Sequence, residues 1–269
     1  MPEMPMPPRR SLRVAVARTP DRPWLRWVLV ALTAAAPLTV FAQTAAHRGD
    51  GFLFSRPLLS FSIRGGYDRP TAGSDIYDFT TTQLTLSRGD FAALGYAFDL
   101  GVRLADRVDL TFSAGEARRA TSSEFREFID NNDLPIEQVT ALRRVPLTMG
   151  LKYALTAPGE RIGRLAWIPS RFTPWVGLGG GAMQYSFTQA GDFVDFQTLN
   201  VFSRTFRSKG WTPMAYAHVG ADVSLTERFA VTGDVRYSAA RAPLTGAFVG
   251  FDRIDLSGTA ATMGFSVRY

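Results

Sequence analysis

The sequence predicts an all-β fold, an eight-stranded antiparallel up-and-down transmembrane β-barrel spanning residues 58–269. Three observations predict it. Eight segments alternate apolar and polar residues with a period of two rather than 3.6. The connections between them are by turns long and short. The chain also ends inside such a segment, Thr262 to Tyr269, on an aromatic residue. In water that terminus would fray and expose an unpaired edge, so it reads as the strand that closes a barrel.

Composition agrees with one β-rich unit: 24 Gly, 20 Phe, 8 Tyr and 5 Trp in 269 residues. There is no Cys, which excludes thiol chemistry, disulfides and cysteine zinc sites. The formal charge of +6 is concentrated at one end, where residues 1–42 hold six Arg and two acids. The remainder carries 24 basic against 22 acidic residues, too even a balance to imply a nucleic-acid partner.

Residues 1–42 read as a signal peptide. Arg9, Arg10, Arg13, Arg18, Arg22 and Arg26 precede an apolar run from Trp27 to Ala42. At about 16 residues the run is shorter than the roughly 20 a spanning helix needs, and cleavage is expected between Ala42 and Gln43. A polar lead follows over 43–57.

In the barrel region, Leu59, Phe61, Ile63 and Tyr67 alternate with Ser60, Ser62, Arg64 and Asp68 as the first strand, and a loop is expected from Arg69 to about Asp90. The second strand sets Leu94, Tyr96, Phe98, Leu100 and Val102 against Asp99 and Arg103. A tight turn at Asp106-Arg107 leads to the third, with Val108, Leu110, Phe112 and Ala114 against Asp109, Thr111 and Ser113. The pattern then fades, and Ala117 to about Gln138 reads as a long loop.

The fourth strand places Val145, Leu147, Met149, Leu151 and Tyr153 opposite Arg144, Pro146, Thr148, Gly150 and Lys152. The fifth, Trp175 to Phe187, is so rich in Gly that only Val176 and Leu178 can be assigned to its outer face. A further loop is expected from Gln189 to about Gly210. The sixth alternates Ala215, Ala217, Val219, Ala221 and Val223 with Tyr216, His218, Gly220 and Asp222. The seventh sets Phe229, Val231, Val235 and Tyr237 against Thr232, Asp234 and Arg236. A last loop, Ala239 to Ile254, precedes the closing strand, where Ala261, Met263, Phe265, Val267 and Tyr269 oppose Thr262, Gly264, Ser266 and Arg268.

Period two alone does not say which face is inside. The polar face mixes small residues with charges of both signs: Arg64, Asp99, Arg103, Asp109, Arg144, Lys152, Asp222, Asp234, Arg236 and Arg268, joined by His218. Small residues and compensating charges suit a narrow lumen. The apolar face carries Tyr67, Tyr153, Trp175, Trp211, Tyr237 and Tyr269 near strand ends, where interfacial aromatics belong. The apolar face is therefore expected outward, against lipid.

The blocks Val145-Pro146-Leu147-Thr148-Met149-Gly150-Leu151-Lys152-Tyr153 and Pro174-Trp175-Val176-Gly177-Leu178-Gly179, with the closing octet, resemble the small outer-membrane barrels of the OmpA, OmpX and OmpW kind. Within the octet, Thr262, Gly264, Val267 and Tyr269 resemble the C-terminal signal recognised for barrel assembly. The resemblance implies a bacterial outer-membrane location. Its implied partners are the assembly machinery and membrane lipid, lipopolysaccharide included, with the chain a monomer. It implies no catalytic residue, metal or cofactor.

Other chemistry is thin. His47 lies in the lead and His218 on the expected lumen face, with Gly220 where a lipid deacylase of these membranes would carry Ser. Arg88-Gly89-Asp90 spells an adhesion tripeptide but sits near a strand start, and Asp130 to Asp133 lacks the spacing of a calcium loop. Phe193, Phe196, Phe202 and Phe206 read as a cap over the barrel. The expectation is a non-enzymatic barrel with an envelope or surface-interaction role through four long loops. Alternatives are an OmpW-like conduit for small apolar molecules and a lipid-modifying enzyme.

Overall fold

The computed structural model describes residues 52–129, 133–163, 166–195, 197–198 and 200–269. The expected signal peptide with its cleavage point at Ala42 and Gln43, His47, Asp130 to Asn132 and Phe196 lie outside them. The strands are β1 Leu59–Pro70, β2 Ala93–Arg103, β3 Val108–Ile129, β4 Pro135–Ala154, β5 Gly159–Ile162, β6 Ala166–Pro169, β7 Phe172–Val194, β8 Val201–Ser224, β9 Phe229–Ala242, β10 Ile254–Asp255 and β11 Gly258–Arg268. Among the described residues one α-helix, α1, spans Asp75–Gln83.

Eight of these strands close a ring in the order β1-β2-β3-β4-β7-β8-β9-β11, each antiparallel to its neighbours, with β11 returning to β1. The seam runs from Ser60↔Arg268 to Pro70↔Gly258, and the Tyr269 amide donates to the Leu59 carbonyl at 2.9 Å. Following one row of partners from Gly220 through Asp234, Thr262, Gly66, Gly95, Ala117, Arg144 and Tyr185 leads back to β8 at Gly210, 220 − 210 = 10 residues from the start. Eight strands with that stagger tilt by about 40° and enclose an interior that side chains fill.

The long strands correct the expected loops. β3 has 22 residues, β4 20, β7 23 and β8 24, against 12 in β1 and 11 in β2. Residues 117–129 with 135–138, and 189–194 with 201–210, are therefore hairpin extensions of the barrel wall instead of loops. The expected loop from Arg69 to Asp90 holds α1 and a 3-10 turn, Arg88–Phe91, and that from Ala239 to Ile254 holds the end of β9 and a 3-10 turn, Gly246–Phe248.

The alternation did not stop in these extensions; its sense reversed. In the lower part of β4, Leu147, Met149, Leu151 and Tyr153 point out while Arg144, Thr148 and Lys152 point in. Above Arg144 the outward positions are Arg143, Ala141, Val139 and Glu137, with both charges of that stretch outside, and Leu142 and Ile136 are buried inside beside Thr140 and Gln138. β7 repeats the change, from outward Val176 and Leu178 to inward Met183, Tyr185 and Phe187. A barrel whose exterior passes from an apolar medium into water must exchange its faces in this way.

Where β2 and β9 stop short, the outer β3-β4-β7-β8 wall has two open edges, and both are covered. The segment after α1 pairs with β3, with the Thr85 amide donating to the Glu124 carbonyl at 2.9 Å. On β8 the Ser208 hydroxyl accepts from the Thr245 amide at 2.9 Å. Segments lying over the edges in this way hinder the strand-to-strand pairing that an open edge invites.

Pro146 sits where its missing donor interrupts one ladder only. Pairing with β3 stops at Ala114↔Leu147 and resumes at Ala117↔Arg144, whereas pairing with β7 runs through Pro146↔Met183.

Candidate functional site

The interior is filled in two layers, and each of the eleven expected lumen residues projects into it. At mid-height the Arg64 guanidinium donates to both Asp99 carboxylate oxygens, Nε to Oδ2 at 2.6 Å and Nη2 to Oδ1 at 2.7 Å, and pairs with Asp234. Asp234 also accepts from the Thr262 hydroxyl and lies 3.3 Å from His218 Nδ1. Arg236 stacks over the Tyr216 ring at 4.5 Å.

Toward the short turns, Asp222 collects the Lys152 ammonium at 2.8 Å, the Trp175 indole N–H at 3.0 Å and the Thr232 hydroxyl at 2.8 Å. Arg268 approaches it at 3.9 Å, and Arg103 donates to Asp109 at 3.0 Å. Trp175 is therefore a lumen residue, 3 % exposed, and not part of the outer aromatic set. Tyr67, Tyr153, Trp211, Tyr237 and Tyr269 do point outward, each at least 45 % exposed.

The Gly-rich stretch of β7 has a packing cause. A Cβ on Gly177 would collide with the His218 ring, and one on Gly150 or Gly179 with the Tyr216 hydroxyl. The two rings of β8 thus lean over their own cross-strand partners, Gly177 and Gly179 of β7, and the Tyr216 hydroxyl reaches on to Gly150 of β4. Sequence reasoning missed Thr232, Trp175 and Tyr216 as partners. The alternation of Gly177 and Gly179 with Val176 and Leu178 is the signal for large side chains opposite.

Above the charges lies an apolar plug. Ile76 and Tyr77 of α1 are fully buried with Phe187, Tyr185, Leu84, Ile254 and Leu256. Tyr77 meets Phe91 edge-on at 4.9 Å, and Phe187 meets Phe248 at 5.3 Å. Phe193 and Phe206, expected as a cap, contact each other at 4.6 Å, and Phe206 reaches Phe248 at 6.4 Å. Each large apolar side chain buried here contributes about 1.5–3 kcal/mol. The Arg88-Gly89-Asp90 turn is fixed by Ser87, whose amide and hydroxyl both donate to Asp90 at 2.8 Å.

Two small cavities lie among these side chains. The cavity among Arg64, Asp99, Lys152 and Asp222 offers about 70 Å³ to water, and so does another between Arg236 and Met214. Each holds only a handful of water molecules. Among the described residues no cluster of His, Asp and Glu is placed to hold a metal. No helix among the described residues is long and apolar enough to cross a membrane, which says nothing of crossing by strands.

No family model and no curated relative matches the chain. Solved structures do, small outer-membrane β-barrels among them. The outer membrane protein OprG from Pseudomonas aeruginosa is 16% identical, with a TM-score of 0.43, over 81% of this chain and 99% of that one. Escherichia coli outer membrane protein W is 18% identical, with a TM-score of 0.39, over 80% of this chain and 100% of that one. The outer membrane protease OmpT from Escherichia coli is 10% identical, with a TM-score of 0.40, over 82% and 99%. Likenesses this distant lend nothing to a choice of activity.

Proposed function

We propose that this chain is a non-enzymatic outer-membrane β-barrel that spans the lipid as a closed sheet and presents the β3–β4 and β7–β8 hairpins outside, in an envelope or surface-interaction role. The exchange of faces along β4 and β7 carries this reading. An apolar exterior with a charged interior suits lipid, the reverse arrangement suits water, and one strand holds both in sequence. The exterior positions from Phe172 to Ala182 on β7 make a band of about 25 Å at the usual strand tilt, the height of a hydrocarbon layer.

A plugged interior supports presentation over conduction. In the test, the refolded protein is placed in a planar bilayer and run in parallel on detergent gels with and without boiling. The reading expects heat-modifiable migration and an electrically silent bilayer. Steady conductance abolished by substitutions at Asp222 and Lys152 would favour the narrow conduit instead. Absence of any heat-modifiable form would remove the membrane reading altogether. The lipid-modifying alternative is tested by lipid mass spectrometry with and without the protein, where the reading expects no change.

A further inference from the structure

The outward face just above the apolar band carries cations in register. Arg118 of β3 is paired directly with Arg143 of β4, Arg143 with Ser186 of β7, and Ser186 with Lys209 of β8. These four positions form one row across adjacent strands about 4.8 Å apart. Arg207 joins the row, its Nε donating to the Ser186 hydroxyl at 3.2 Å. The acid beside them, Glu116, is gripped by Arg143 through bonds of 2.7 and 2.8 Å. Four basic residues thus face one acid.

Like charges directly opposite on neighbouring strands destabilise a sheet unless a counter-charge joins them. The row also has a fixed relation to the apolar surface. Val145 and Leu147 follow Arg143 outward on β4, and Trp211 follows Lys209 on β8, 54 % exposed. A ligand satisfying both features is amphiphilic: an anionic head against the cations and hydrocarbon chains along the band.

We infer that Arg118, Arg143, Arg207 and Lys209 form a seat for the phosphate of a membrane lipid headgroup, in the leaflet on the side of the long hairpins. Arg118 and Lys209 reach the phosphate from the two ends of the row, Arg143 is oriented by Glu116, and the acyl chains lie over Leu147 and its neighbours. This rests on the membrane reading above and adds a defined lipid contact to it.

The test uses the refolded full-length chain in detergent, exchanged against mixed micelles of phosphatidylcholine and phosphatidic acid and read by native mass spectrometry for retained lipid. The wild type should retain phosphatidic acid preferentially. The double variant R118Q/K209Q should lose that preference by about tenfold or more, given roughly 1 kcal/mol per basic residue near an anionic surface. A control, R107Q/R228Q, alters cations at the short-turn end and should keep it. Equal retention by the wild type and R118Q/K209Q overturns the seat. Displacement of phosphatidic acid by equimolar inorganic phosphate overturns its assignment to a lipid. Heat-modifiable migration, measured on every variant, reports the barrel separately: its presence with no lipid preference refutes the seat alone, and its absence from the wild type refutes the membrane reading.

Discussion

Arg144 and Leu256 are joined across the barrel: the Arg144 guanidinium of β4 donates from Nη1 to the Leu256 carbonyl at 2.8 Å. Its other end pairs with Asp68 of β1. Arg144 sits where the charged layer meets the plug, and through Leu256 it ties the 243–257 segment to the wall. Asp255 continues the tie by accepting from the Gly73 amide at 3.3 Å, and Ser74 accepts from the Asp255 amide at 3.1 Å, just before α1.

Replacing Arg144 with Met should therefore loosen the plug while leaving the barrel closed. Loss of a buried charged hydrogen bond costs about 1.5–3 kcal/mol. Hydrogen exchange should speed up at the Leu256 amide, which donates to Ala240, while the β1–β11 seam keeps its protection. Unchanged exchange at Leu256 would show that the tie is dispensable.

Arg64 is 6 % exposed between Asp99 and Asp234. Removing it as R64L strands two buried carboxylates and should cost about 3–5 kcal/mol in urea unfolding from lipid. A triple variant, R64L/D99L/D234L, should regain much of that loss, because apolar side chains of similar volume fill the space without a charge to desolvate. A triple variant no more stable than R64L would contradict this account.

The glycine stripe predicts a compensating pair. G177V should destabilise by about 1–3 kcal/mol, because the added carbons enter the space of the His218 ring. In the H218A background the same change should cost less, the remaining cost coming from the Leu151 carbonyl, 2.9 Å from a Cβ at 177. Equal costs in both backgrounds would show that His218 is not the cause.

The Arg88–Phe91 turn predicts a pH dependence. The Ser87 amide and hydroxyl hold the Asp90 carboxyl below the usual carboxylate range. A depressed folded value means that its contribution is fully present above the ordinary value, and fades as pH falls through the lowered one. The Ser87 amide resonance should shift only below the pH at which exposed aspartates titrate, and D90N should abolish that shift.

The sequence revealed the barrel because period two is rigid: once Phe265 faces out, Ser266 must face in. It hid the hairpin extensions because a search for outward apolar residues finds none in Arg118, Ser122 or Glu124, although Ser123 beside them is buried. It hid α1 for another reason. Asp75 and Asp78 suit a helix start, but Thr80, Thr81 and Thr82 are poor helix formers, and burial of Ile76 and Tyr77 against Phe187 decides the helix. Trp175 was legible by the same rule, since an outward Val176 turns its neighbour inward; counting it with the outer aromatics overlooked that parity, and inside the lumen its indole N–H donates to Asp222 at 3.0 Å.

The exchange of faces on β4 is the central claim, and the absence of Cys makes it directly measurable with single spin labels at residues 137, 147 and 148. In lipid vesicles, the label at 147 should collide with oxygen and be shielded from a water-soluble nickel reagent. The label at 137 should show the opposite, and that at 148 should be immobile and accessible to neither. Equal nickel accessibility at 147 and 137 would contradict the account and place the whole barrel in water.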